Sequence, residues 1–164
     1  SDGKLCDLIK IDAGGYRNRS SEDTLKEKVV DKYGNIRTDE HGHMNGGDVF
    51  NFVLREVPKN IRNIFNLSNF EQEKIDFFIF HQANKFMNEY LVKKLKIDMK
   101  KTPSTISKYG NTSSVSIPIT IVDQLKDRTS GHKNLFLCGF GVGMSWASAI
   151  IPIKSMHISP ITQI

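Results

Sequence analysis

The sequence predicts an α/β fold, a mixed sheet flanked by helices with a terminal antiparallel strand pair. Three observations predict it. An apolar run over 75–80, interrupted only by Asp76, has the continuous hydrophobicity of a strand buried on both faces, as in a parallel sheet covered by helices. Helical periodicity flanks that run over 48–65 and 84–96 and returns over 113–126. Two further apolar runs, 134–138 and 146–153, are joined by Gly139-Phe140-Gly141-Val142-Gly143 and read as an antiparallel pair at the end of the sheet.

Length and composition bound the function classes. With 164 residues the chain suffices for one domain with a real core, or for one half of a larger protein. It is 38% hydrophobic and 25% charged, ordinary for a soluble globular chain. A formal net charge of +5 favours an acidic partner. Arginines interleaved with aromatics are lacking, which argues against nucleic acid. Cys6 and Cys138 lie far apart without metal-ligand spacing, which suits a reducing, cytoplasmic setting. No apolar run reaches transmembrane length and no signal-peptide pattern is present, so no membrane partner is expected. The chain opens on Ser1-Asp2-Gly3 rather than methionine, as a piece of a longer protein would.

Taken in order, Leu5 to Ile11 alternates loosely and predicts a short strand, and 16–21 is a polar loop. Residues 22–45 are charged and glycine-punctuated, which predicts a long surface segment with a helical turn near Leu25 to Val30. His41-Gly42-His43 has no third ligand nearby, so no metal is expected there. From Asp48, the residues Phe50, Val53, Leu54, Val57, Ile61, Ile64 and Phe65 recur at three- and four-residue steps and give one apolar helix face. Pro58 cannot donate to the carbonyl of Leu54, which predicts a kink or a helix in two pieces.

After a polar turn at 71–74 the strand runs to Phe80 and ends on His81. The helix over 84–96 stacks Phe86 on Tyr90 and Met87 on Leu91 and Leu95 at four-residue steps. Its other side carries Lys85, Lys93, Lys94 and Lys96, either a solvated face or a docking surface for an anion. Thr102-Pro103 breaks the chain and Gly110-Asn111 marks a tight turn. The helix over 113–126 is expected to bury Val115, Ile119, Val122 and Leu125, with Ser113 or a neighbour as cap and Pro118 in its first turn. The division expected is a body over 1–153 and a mobile, aperiodic tail over 154–164.

The candidate chemistry sits on His81 and Asn111, 111 − 81 = 30 residues apart with one helical pattern between them. Open α/β sheets bind ligands beyond the carboxyl ends of their strands, where His81 is placed. A ring N–H and an amide N–H can together steady an oxyanion. The plain alternative is a buried, satisfied histidine and a capping asparagine. The glycine link is not a dinucleotide fingerprint, because its glycines alternate and a strand follows. It offers backbone freedom and exposed N–H groups.

His81-Gln82-Ala83-Asn84, Tyr109-Gly110-Asn111-Thr112-Ser113-Ser114, and Gly139 to Gly143 with Ser145-Trp146 resemble the C-terminal half of β-ketoacyl-acyl-carrier-protein synthase III. Met44 to Phe50 resembles the segment that opens the long helix of that family, and order and spacing match from about Ser1 to Ile153. The resemblance implies one half of a thiolase-like fold, in a homodimeric enzyme of fatty acid synthesis. It joins an acyl group to a malonyl unit by decarboxylative Claisen condensation.

The resemblance also implies roles. His81 and Asn111 are the oxyanion donors, the backbone N–H near Val142 holds the acyl-enzyme oxyanion, Phe140 and Gly141 line the acyl pocket, and Asn84 lies in the pantetheine channel. Lys85, Lys93 and Lys94 dock the acyl carrier protein, with Phe86 where the family often has arginine. Acyl-CoA and phosphopantetheine-bound malonyl are the substrates, with no separate cofactor and no metal. The nucleophilic cysteine belongs to an N-terminal half that this sequence does not include. Cys138 is the tempting substitute, but it lies inside an apolar strand, where a thiol behaves as a small hydrophobe. By itself the chain is therefore expected to catalyse nothing and to expose apolar surface. Polyketide or specialised acyl-transfer relatives share the same pair, and a non-catalytic acyl- or carrier-binding module of this fold is the alternative of another class.

Overall fold

The structure, a computed structural model, describes residues 1–162. The chain divides into two compact units, one of Ser1–Asn51 with Gly141–Ser145, the other of Phe52–Phe140 with the chain from Trp146 onward.

The first unit is built from turns and two very short strand pairs. Residues Gly3–Leu8 form a 3-10 helix where the alternation predicts a strand. The Asp2 carboxylate accepts the Lys4 N–H at 3.1 Å, and this local bond winds the segment before it can extend. Only β1 (Ile9–Lys10) is extended, paired antiparallel with β4 (His43–Met44). The helical turn expected near Leu25 to Val30 is instead a hairpin of β2 (Lys28–Val29) with β3 (Ile36–Arg37). Asp31 accepts the N–H groups of Tyr33 at 2.9 Å and Asn35 at 3.3 Å, and Gly34 turns the chain at φ +77°.

Helix α1 (Gly46–Ser68) runs unbroken for 23 residues, with Pro58 inside it. Of the two outcomes expected at Pro58, a kink or a helix in two pieces, the second does not occur. Pro58 does leave the Leu54 carbonyl without its usual helical donor. The Lys94 ammonium supplies one, at 2.9 Å. The helix also starts earlier than Asp48, because Asn45 accepts the Asp48 N–H at 3.2 Å.

In the second unit β5 (Phe77–Phe80), β6 (Lys133–Gly141) and β7 (Ser145–Ile153) form one sheet in that order. Strands β5 and β6 run parallel, with Phe77 opposite Leu135 and Phe80 opposite Cys138. Three residues join β6 to β7, and so short a link allows only an antiparallel pair. The sheet is therefore mixed, as predicted. Alternate residues of β5 face opposite layers. Phe78 and Phe136 meet Phe65 of α1, with ring centroids 5.3–6.5 Å apart. Phe77, Ile79 and Leu135 pack with Leu125 of α4 (Ser116–Leu125).

Helix α2 (Lys85–Lys94) follows β5 and buries Met87, Leu91 and Val92. Phe86 and Tyr90 lie on its exposed side, so only one of the two predicted stacks enters the core. A four-residue helix, α3 (Ile106–Tyr109), stops at Gly110, whose φ of +68° makes the expected tight turn. Helix α4 is rotated from the expectation. Val115 is exposed, Ile119 and Val122 are half-buried, and Ser116, Thr120 and Leu125 point inward. The reason is polar, since Thr105 and Thr120 share a hydroxyl hydrogen bond at 2.8 Å and Ser116 meets His81. No side chain caps α4; a 3-10 turn over Ser113–Val115 leads into it. The early tail is docked, with Met156 and Ile158 against the Phe77–Ile79 cluster. The last two residues of the tail lie outside the described residues.

Candidate active site

The sheet fixes the backbone of His81. Its N–H donates to the Cys138 carbonyl at 2.8 Å, carrying the β5–β6 pairing one residue past the strand. Its carbonyl accepts from the Asn88 amide at 3.1 Å. The histidine thus stands at the carboxyl end of a parallel strand, the ligand-binding end of such sheets. The ring is half-buried, with Nδ1 2.6 Å from Ser116 Oγ and an edge contact to Phe140 at 5.5 Å between centroids. Burial pushes the imidazole pKa below its usual value, so the ring is neutral at pH 7. Among the described residues Nε2 has no partner.

Asn111 sits in the turn after Gly110. Its Oδ1 accepts the Ser113 N–H at 2.9 Å, which fixes the sense of the amide. Its Nδ2 then has no acceptor among the described residues. Asn111 therefore holds an unused amide N–H and His81 an unpartnered Nε2, while the other polar atom of each is tied to the protein.

A family profile described as "3-Oxoacyl-[acyl-carrier-protein (ACP)] synthase III C terminal" matches residues 65–153, more than half of the chain. The chain belongs to this family. Beta-ketoacyl-[acyl-carrier-protein] synthase III of Clostridioides difficile (strain 630) is 34% identical to it over 152 residues, 92% of this chain and 43% of that protein. The Clostridium tetani protein of the same name is 37% identical over 153 residues, again 92% of this chain and 45% of that protein. The crystal structure of a 3-oxoacyl-(acyl-carrier protein) synthase from Burkholderia xenovorans LB400 superposes with a TM-score of 0.83 at 34% identity, covering 98% of this chain and 44% of that one. The chain thus spans less than half the length of these relatives.

The other residues that the sequence resemblance singles out take varied positions. Asn84 caps α2, accepting the Met87 N–H at 3.2 Å. Phe140 is buried against the His81 ring. Gly141 closes β6, and Val142 is exposed in the β6–β7 turn; both group with the first unit. Of the three lysines expected to dock a carrier, Lys85 lies 3.9 Å from Glu89 and Lys93 is exposed without a partner among the described residues. Lys94 is occupied with the Leu54 carbonyl and lies 5.6 Å from the Tyr90 ring centroid. Cys138 is buried, and burial pushes its thiol up to about 12. A thiol so hard to ionise is no nucleophile at neutral pH. Among the described residues no group of three or more His, Cys, Asp or Glu gathers as for a metal. None of the helices described is long and apolar enough to cross a membrane.

Two residues escape the sequence reading. Gln82, buried, donates to the Phe80 carbonyl at 2.8 Å and accepts from Ser104 Oγ at 2.7 Å and the Thr105 N–H at 3.1 Å, pinning the chain after β5 to the approach to α3. Ser116 touches His81 directly. Its signal is the Ser116/Thr120 pair, two small polar residues four apart in a stretch that is otherwise apolar from 116 to 122.

Proposed function

We propose that this chain is the C-terminal part of a ketoacyl synthase III-type acyltransferase. That enzyme condenses an acyl group from acyl-CoA with malonyl-acyl carrier protein and so initiates fatty acid synthesis. The single observation that carries the reading is His81: a neutral imidazole at the carboxyl end of β5, tied at Nδ1 and open at Nε2.

Loss of carbon dioxide from a malonyl thioester leaves an enolate whose charge collects on the thioester oxygen. His81 Nε2–H and Asn111 Nδ2–H are the donors for that oxygen. Fixed donors in a site of low dielectric stabilise developing charge with little reorganisation. The enolate carbon then attacks the acyl thioester carried by a cysteine of the N-terminal half. The N–H near Val142 receives the tetrahedral oxyanion, and the thiolate leaves. Phe140 and Gly141 bound the acyl pocket, Asn84 borders the pantetheine arm, and Lys85 and Lys93 offer positive charge to an acidic carrier. No cofactor enters beyond the thioester substrates. Cys138, the cysteine on the same sheet as His81, is buried, and the chain alone is inactive in condensation.

The test uses the full-length protein, with labelled acyl-enzyme and condensation product measured separately. His81→Ala and Asn111→Ala each lower condensation by ~10²–10³-fold, the range for one oxyanion donor. Acylation falls much less, and the double variant loses less than the product of the two. Condensation by both single variants at close to the wild-type rate would sink the assignment.

A further inference from the structure

We infer that Ser116 is a positioning residue: its hydroxyl donates to His81 Nδ1 and fixes the ring in the tautomer that carries its hydrogen on Nε2. The inference rests on the proposed role of His81 as an oxyanion donor, but its physical content is a statement about one proton.

The argument is an inventory of hydrogens. Ser116 Oγ lies 2.6 Å from His81 Nδ1 and 3.3 Å from the Gln82 backbone nitrogen. A backbone N–H can only donate, so the Gln82 bond occupies a lone pair of Oγ. The serine has one hydrogen to place, and at 1% exposure it has no access to bulk water. Among the described residues His81 Nδ1 is the acceptor within reach. With the serine hydrogen on that bond, the hydroxyl, His81 Nδ1 and the Gln82 N–H are all satisfied. In the opposite arrangement Nδ1–H and the Gln82 N–H would both point at Oγ, and the hydroxyl hydrogen would be buried without an acceptor. Leaving a buried donor unmade is the more costly alternative.

The serine is itself held. It opens α4, its carbonyl accepts from Thr120 Oγ1 at 2.8 Å, and Thr120 is bonded to Thr105 Oγ1 at 2.8 Å. Gln82 ties Thr105 back to the chain beside His81. Strand β5 and helix α4 thereby set one oxygen opposite one ring nitrogen. The consequence lies at the other nitrogen. With Nδ1 accepting, Nε2 must carry the hydrogen and can donate to a carbonyl or enolate oxygen. The reverse tautomer would turn a lone pair towards that oxygen and repel it.

The experiment has two arms. In the first, the chain is labelled with nitrogen-15 histidine, and the two ring nitrogens of His81 are read by long-range correlation NMR at pH 8, assigned through His81→Gln. A protonated Nε2 and a bare Nδ1 are expected. Ser116→Ala mixes the tautomers, and Ser116→Thr, which keeps a hydroxyl, restores the wild-type pattern. An Nδ1-protonated ring in the wild type overturns the inference, whether or not either variant folds, and so does a Ser116→Ala spectrum with an unchanged tautomer. In the second arm, Ser116→Ala in the full-length protein lowers kcat for condensation about tenfold, the scale of one lost hydrogen bond, with KM and cysteine acylation little changed. An unchanged kcat overturns the functional part. Should the full-length protein not condense at all, the proposed function fails, and the NMR arm still decides the tautomer.

Discussion

The first 51 residues and the sheet unit order themselves by different means. In the first, strands are two residues long, and Ile11, Leu25, Val29, Tyr33 and Ile36 are exposed. Its order comes from carboxylates bonded to nearby groups: Asp31 holds Tyr33 and Asn35, and Glu40 accepts from Ser20 at 2.6 Å and Thr24 at 2.8 Å. In the second, Phe78, Ile79, Phe136 and Leu125 are sealed between helices on both faces of the sheet. Apolar burial is the larger stabilising force. His81 and Asn111, the donors proposed for the enolate oxygen, belong to the unit that has it.

The largest expected difference between the units follows directly. Phe136→Ala and Ile79→Ala empty fully buried positions and should each cost about 2–5 kcal/mol of unfolding free energy in denaturant titrations of the chain. Tyr33→Ser and Ile11→Ser, both at exposed positions of the first unit, should stay within about 0.5 kcal/mol. If the exposed positions prove as costly as the buried ones, the comparison is broken and those side chains are covered in solution.

The same contrast decides what could be read from the sequence. The β5 run, the α2 pattern and the terminal strand pair were legible because burial on the sheet leaves a periodic apolar record. The α-helical face of α1 was legible too, but its continuity through Pro58 was not, since that depends on Lys94, 94 − 54 = 40 residues from the carbonyl it serves. In the first unit, local carboxylate and hydroxyl bonds overrode weak alternation at Leu5 to Ile11 and a weak helical hint at Leu25 to Val30. At the candidate site His81 and Asn111 stood out by residue type and spacing. Ser116 did not, because a serine inside a helix is ordinary until its partner across the fold is known.

A smaller effect separates two neighbouring lysines. Lys94 bonds the carbonyl that Pro58 orphans, whereas Lys93 has no partner among the described residues. Lys94→Met should lower stability by about 1 kcal/mol, the usual net worth of one hydrogen bond. Lys93→Met should leave stability unchanged within about 0.5 kcal/mol. In the full-length protein Lys93→Met should instead raise KM for the carrier substrate, with a steeper loss at low salt, since exposed charges act through screened long-range attraction. Equal stability of the two variants would show that the Leu54 carbonyl does not depend on Lys94.

The smallest effects are those of pH, and the two units should answer at different ends of the scale. His81 is depressed by burial, so the unfolded imidazole takes its proton at about 6.5 while the folded one resists. The unfolded state then binds more protons, and linkage makes stability fall with falling pH. The stability tied to the neutral ring is present above pH 6.5 and is lost below it. Asp31 is depressed chiefly by the Asn35 amide and Glu40 by the Ser20 hydroxyl; Asp31 is exposed and Glu40 half-buried. Their unfolded values are ordinary carboxylate ones, so their contribution is complete above about pH 4.5 and is lost only as pH falls through the folded values. Exposure keeps it small. Denaturation of wild type, His81→Gln and Asp31→Asn from pH 8 to pH 3 tests the order. The stability gap between wild type and His81→Gln should begin to change below pH 6.5, whereas the gap to Asp31→Asn should hold constant until about pH 4.5 and close beneath it. A gap to Asp31→Asn that persists unchanged at pH 3 would mean that the Asp31 carboxylate charge plays no part in holding the β2–β3 turn, and the contrast between a carboxylate-bonded unit and a buried one would lose its electrostatic half.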